Sequence, residues 1–106
     1  MALYDGNWSS KYVEPNRQPG VARQLAAGAT SANTSLTASC ARVSMRAVTA
    51  DIRYAIGGGA SQTANAGTSH FIAQNERLEL VVPASANIAV IRDASTSGTL
   101  ELTELF

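Results

Sequence analysis

The chain has 106 residues, 11.0 kDa, eight basic and eight acidic side chains and a pI near 6.5. That length points to one domain, and the lack of any lysine or arginine block removes the electrostatic basis for gripping a run of phosphates, so no nucleic-acid partner is expected. Charged residues make up 15%, against ~25% in ordinary globular chains, and the formal net charge is zero, so with little net self-repulsion the domain is expected to tolerate a crowded assembly.

Residues 1–20, MALYDGNWSSKYVEPNRQPG, carry Tyr4, Trp8 and Tyr12, three of the six aromatic residues. Between them stand Gly6, Asn7, Ser9 and Ser10, which are weak helix residues, although the spacing of four would align the rings on one helical face. The stretch has no basic region followed by a continuous apolar run, so no signal peptide is expected. Pro19-Gly20 is a turn or linker signal and is taken as the end of an N-terminal arm. Tyr and Trp are favoured interface anchors. The reading taken forward is an arm that docks Leu3, Tyr4, Trp8, Tyr12 and Val13 on a neighbouring chain. The alternative is an arm folded back over an edge strand of its own domain. Plain disorder fits three aromatics badly.

From Val21 onward, short stretches rich in Val, Ile and Leu alternate with Ser, Thr, Ala, Asn and Gly, the texture of a compact all-β domain. Weak strands are expected at 21–26 and around 34–38. In ARVSMRAVTADIRYAIG (41–57), Val43, Met45 and Ala47 alternate with Arg42, Ser44 and Arg46. Ile52, Tyr54 and Ile56 then alternate with Arg53 and Ala55. Each half has period two, and the phase slips near Val48-Thr49, which predicts a strand pair broken by a bulge, bend or tight turn. On the polar face Arg46 and Arg53 are expected to face Asp51 or one another's neighbours. GGGASQTANAGTS (57–69) reads as a flexible loop, and 69–73 as another weak strand. In ERLELVVP (76–83), Leu78, Leu80 and Val82 alternate with Arg77, Glu79 and Val81, and Pro83 ends the strand. NIAVIRD (87–93) is apolar on both faces, so it is expected to be central or covered on both sides. TLELTELF (99–106) places Leu100 and Leu102 on one face, Glu101 and Thr103 on the other. Seven or eight short strands at this spacing predict an antiparallel two-sheet sandwich or a small barrel. The loops 28–39 and 59–69 share composition without forming a repeat.

No apolar run approaches ~18 residues, so no membrane partner is expected. Cys40 is the single cysteine. It cannot close an intramolecular disulfide, which points to synthesis in a reducing cytosol, and core packing is its expected role. IGGGAS (56–61) lacks the following lysine and helix of a phosphate loop. His70 has no G-x-S-x-G serine elbow to serve and no His/Cys cluster to join, so it is expected on a strand beside Phe71. Glu76, Glu79, Asp93, Glu101 and Glu104 could pair for acid–base work only if brought together, and Glu79 and Glu101 fall on polar faces. The residues thus offer no catalytic site, no metal site and no cofactor.

The order of these pieces carries a resemblance. ASCARVSMRAVTADIRYAIGGGASQTA, TSHFIAQNERLELVVP and NIAVIRDASTSGTLELTELF follow one another as strand, GGG loop, strand before a proline, I-A-V-I-R, then S-G-T-L-x-[LV]-T-E. From about Val21 to Phe106 the chain resembles small virion-structural proteins of tailed bacteriophages and prophages. Residues 1–20 lie outside that pattern. The resemblance implies a non-enzymatic capsid cement or decoration protein with a jelly-roll-like β-sandwich over 21–106. It would be made in the host cytoplasm and carried on the virion. Its partners would be the major capsid protein or other virion proteins, and sister copies in a homo-oligomer, a trimer being favoured. The alternative is a tail, neck or fibre-attachment component.

Overall fold

The computed structural model describes residues 18–58 and 61–106. Eight strands form: β1 (Pro19–Ala27), β2 (Ala32–Ser35), β3 (Arg42–Val48), β4 (Ile52–Gly58), β5 (His70–Ile72), β6 (Arg77–Val81), β7 (Ala86–Arg92) and β8 (Gly98–Leu105). They build two four-stranded antiparallel sheets, ordered β1-β8-β3-β6 and β2-β7-β4-β5. The expected all-β, antiparallel sandwich is what the chain forms. The partners β1–β8, β2–β7, β3–β6 and β4–β5 make one long antiparallel ribbon. It is wrapped so that successive pairs fall in opposite sheets.

Period-two patterning sets the faces. Val43, Met45 and Ala47 of β3 stand beside Leu102 and Leu100 of β8 and Leu80 and Leu78 of β6, all turned inward. From the other sheet, Ile52 and Tyr54 of β4, Ile72 of β5 and Ile88 and Val90 of β7 meet them. Full burial of such a side chain stabilises by ~1.5–3 kcal/mol. Five successive residues of β7, Ala86 to Val90, are buried, as its two-sided apolarity predicts.

Two local expectations are corrected. Residues 41–57 contain two strands, but β3 and β4 lie in different sheets and are not each other's partners. The phase slip is the corner where the chain changes sheet. Thr49 takes φ = 80° there, a left-handed conformation rare for a β-branched residue. Arg46 reaches Asn75 and Glu101, and Arg53 reaches Asp93, while Asp51 Oδ1 accepts the Gln74 N–H. The second correction concerns Pro19-Gly20, which opens β1 rather than turning the chain. β1 is an edge strand, and one extra residue between Pro19 and Ala22 bulges against β8. Edge and bulge positions tolerate both residue types. The Phe106 ring lies so close over Gly20 that a Cβ there would stand 2.3 Å from it.

The connection from β4 to β5 is not a free loop. Its residues 61–69 cross the outer face of the second sheet. Gln62 N–H donates to Asn87 Oδ1 (3.0 Å), and Ala64 N–H to Ser31 Oγ (2.9 Å). Gly57 leaves room for the Gln62 carboxamide, which a Cβ would approach within 2.6 Å. The strap buries Ala64, and the outward-facing Asn87 and Ala89 of β7 are buried as well. Asn87 anchors it by donating in turn to Ser35 Oγ at 3.3 Å. Asn87→Ala is expected to cost about 1–3 kcal/mol, because the Gln62 amide is left without its acceptor. Hydrogen exchange should accelerate at Gln62 and Ala64 before the core strands; equal protection there would show that the strap does not depend on Asn87.

Candidate functional site

The arm residues Leu3, Tyr4, Trp8, Tyr12 and Val13 lie outside the described residues. What the structure does show is where that segment joins the sandwich. Gln18 and Phe106 exchange backbone hydrogen bonds of 2.9 Å in both directions. The chain therefore enters along β1, at the edge of the first sheet. On this flank β1 packs against β2 and β7 of the facing sheet, so the sandwich is closed.

Just inside this entry lies a charged cluster. Glu104 follows Leu100 and Leu102 on the inward face of β8, and its side chain is 0% exposed. Oε2 accepts from Arg23 Nε at 3.0 Å and from the Thr37 backbone N–H at 2.9 Å. Oε1 accepts no hydrogen bond from the described residues. Arg23 is an inward-pointing charge on edge strand β1, opposite Leu102. Burial works to raise the Glu104 pKa, but the hydrogen bonds from Thr37 and the Arg23 guanidinium outweigh it and hold the carboxyl below its ordinary range. The cluster clips β1, β8 and the β2–β3 connection together.

On the opposite flank, between edge strands β5 and β6, the described residues leave the sandwich open. A groove of about 270 Å³ is lined by Tyr54, Ile56, His70, Leu80, Val81 and Pro83. Ile56 and Leu80 are the half-buried rim of the core, and Val81 is 77% exposed. His70 opens β5 and is exposed, its ring 5.4 Å from that of Tyr54. Burial, with the Glu76 charge adding to it, pushes the Tyr54 phenol up, so it keeps its proton.

A second, polar hollow of about 210 Å³ sits at the sheet-changing corner, lined by Thr49, Asp51, Gln74, Asp93 and Thr96 among others. Its carboxylates tie the corner: Asp51 takes the Gln74 N–H at 2.7 Å, and Asp93 takes Arg53 Nε at 2.7 Å. Arg53 also lies over the Phe71 ring, 4.8 Å from its centroid.

The remaining candidates are dispersed. Cys40 is buried and its thiol donates to the Arg42 carbonyl at 3.2 Å. Glu79 faces Arg42 and Glu101 faces Arg46 on the outer surface, at 3.7 and 3.9 Å, pairs of little energetic weight. Glu76 accepts the Ala73 N–H within its own turn. Among the described residues, no group of three or more His, Cys, Asp or Glu is placed to hold a metal ion. The open groove had a sequence signal: Val81 is apolar at a position in phase with Arg77 and Glu79. Glu104 had one too, in phase with Leu100 and Leu102.

No family model, no curated protein and no solved structure matches the chain.

Proposed function

We propose that this chain is a non-enzymatic virion structural protein of a tailed bacteriophage, acting as a capsid cement or decoration protein. The observation that carries the reading is the wrapped ribbon of pairs β1–β8, β2–β7, β3–β6 and β4–β5, which we read as a jelly roll. Ahead of it stands a 17-residue segment holding Leu3, Tyr4, Trp8, Tyr12 and Val13. The resemblance of residues 21–106 to small phage structural proteins supports the same assignment. So does the engagement of Cys40 in packing and of Glu79, Asp93, Glu101 and Glu104 in ion pairs.

The mechanism is mechanical. The sandwich is a rigid body, and the segment before Gln18 is the arm that buries its aromatics against major capsid subunits or sister copies, in a homo-oligomer for which three copies are favoured. Each Å² of apolar surface covered contributes ~25 cal/mol, less the cost of ordering the arm. Repetition across the shell makes the small surplus effective. Purified particles run on a gel test the reading. A cement protein has a band comparable in copy number with the major capsid protein. A band at a small fraction of that number would place the chain at the neck, tail or a fibre instead.

A further inference from the structure

We propose that the open flank is the receiving half of a head-to-tail contact between copies of this chain: the groove between β5 and β6 takes Trp8 of a second copy. This rests on the reading of residues 1–17 as a docking arm.

The groove is of a size to seat one large side chain. Its volume of about 270 Å³ falls below the ~300–1,000 Å³ of ordinary small-molecule pockets. Ile56, Leu80, Val81 and Pro83 supply an apolar bed, and Tyr54 and His70, whose side chains carry acceptor atoms, complete its lining. An indole wants that combination, an apolar seat with an acceptor in reach of its single N–H. The groove is also the unsealed rim of the core, continuous with Tyr54 and with the half-buried Ile56 and Leu80.

Position selects the occupant. The arm leaves at Gln18 beside β1, and β1 and β6 are opposite edges of the first sheet. The flank beneath the arm is closed, and the groove lies on the far one. A donor on one flank and an acceptor on the other make a heterologous contact, which closes into a ring when the rotation per step allows. Trp8 stands ten residues before Gln18, a reach of ~33–36 Å when extended, enough to cross a subunit junction.

Trp8 is the sole tryptophan, so its fluorescence reads the contact directly in the full-length chain. Emission should shift to the blue as concentration rises, in step with association by sedimentation. Val81→Arg changes a side chain that is 77% exposed, so circular dichroism should be unchanged. The dissociation constant should nonetheless rise at least about tenfold, with Trp8 emission left red. Mixing this variant with Trp8→Ala should restore the blue shift, since the tryptophan of the first can enter the open groove of the second. An emission unaltered by Val81→Arg would overturn the proposal. So would a blue shift independent of concentration and of mixing, which would put the segment in its own groove. Particle incorporation separates the two levels. If fluorescence fails while Trp8→Ala still abolishes incorporation, the arm docks on the capsid and only this inference falls. If Trp8→Ala incorporates normally, the docking-arm reading falls as well.

Discussion

Arg23→Ala is expected to lower the stability of the domain by about 2–4 kcal/mol, and its Tm by at least about 10 °C. The substitution strands Glu104, whose side chain is wholly buried on the inward face of β8. Removing one member of a buried pair typically costs ~3–5 kcal/mol; Arg23 is itself 24% exposed, and solvent screening trims the figure. The pH dependence identifies the cause. In the native chain Glu104 titrates below its ordinary value near 4.5. A carboxyl with a depressed folded pKa contributes stability that is complete above the unfolded value and drains away as the pH falls through the folded one. Without Arg23, burial opposes ionisation with only Thr37 against it, and the folded pKa rises. The stabilisation that ionised Glu104 gives at higher pH is then reduced. The gap in Tm between native and Arg23→Ala chains should therefore widen from about pH 3 to pH 6. A gap constant across that range would mean that packing of the Arg23 stem, not the charge pair, had been lost. Glu104→Gln, which keeps the shape, should remove the widening.

Deleting residues 1–17 should leave a domain that unfolds in one cooperative transition, with Tm displaced by less than about 4 °C, yet absent from particles. The cut is placed by the structure, because Gln18 bonds to Phe106 and Pro19 opens β1. A cut after residue 20 would remove part of an edge strand and confuse folding with docking. Circular dichroism melts of the truncated chain, beside gels of particles assembled with it, decide the matter. Loss of the cooperative transition would make the segment part of its own core. Normal incorporation would remove it from the docking role.

Where the residues obey strict alternation, the fold was legible. Val43, Met45 and Ala47, Leu78 and Leu80, and Leu100 and Leu102 all face the core as their phase requires. NIAVIR declared an interior strand because neither of its faces carries charge until Arg92. What remained hidden was non-local. Nothing near Val48-Thr49 tells a hairpin from a change of sheet, since both need the same break in phase. The partner of β3 is decided by β8, some fifty residues on. The glycine-rich 57–69 stretch looked like slack because its anchors, Asn87 and Ser31, lie elsewhere in the chain and grip by side chain to backbone. Glu104 is a second case. Its phase with Leu100 and Leu102 turns it inward, but its partner Arg23 stands 81 residues earlier, so the pair is not visible in the local pattern. The open flank is marked only by Val81, an apolar residue in the polar phase of Arg77 and Glu79.

The pairing order also sets a timetable. β8 is made last, yet it lies between β1 and β3 and is the strand that joins β1 to its sheet. Until Gly98–Leu105 is available, β1 has no partner within its sheet and the inward side chains of β3 lack half their neighbours. Such long-range closure is slow. Folding of the sandwich therefore waits for Gly98–Leu105 to leave the ribosome, and a nascent chain stalled before them offers a protease no completed sheet to spare.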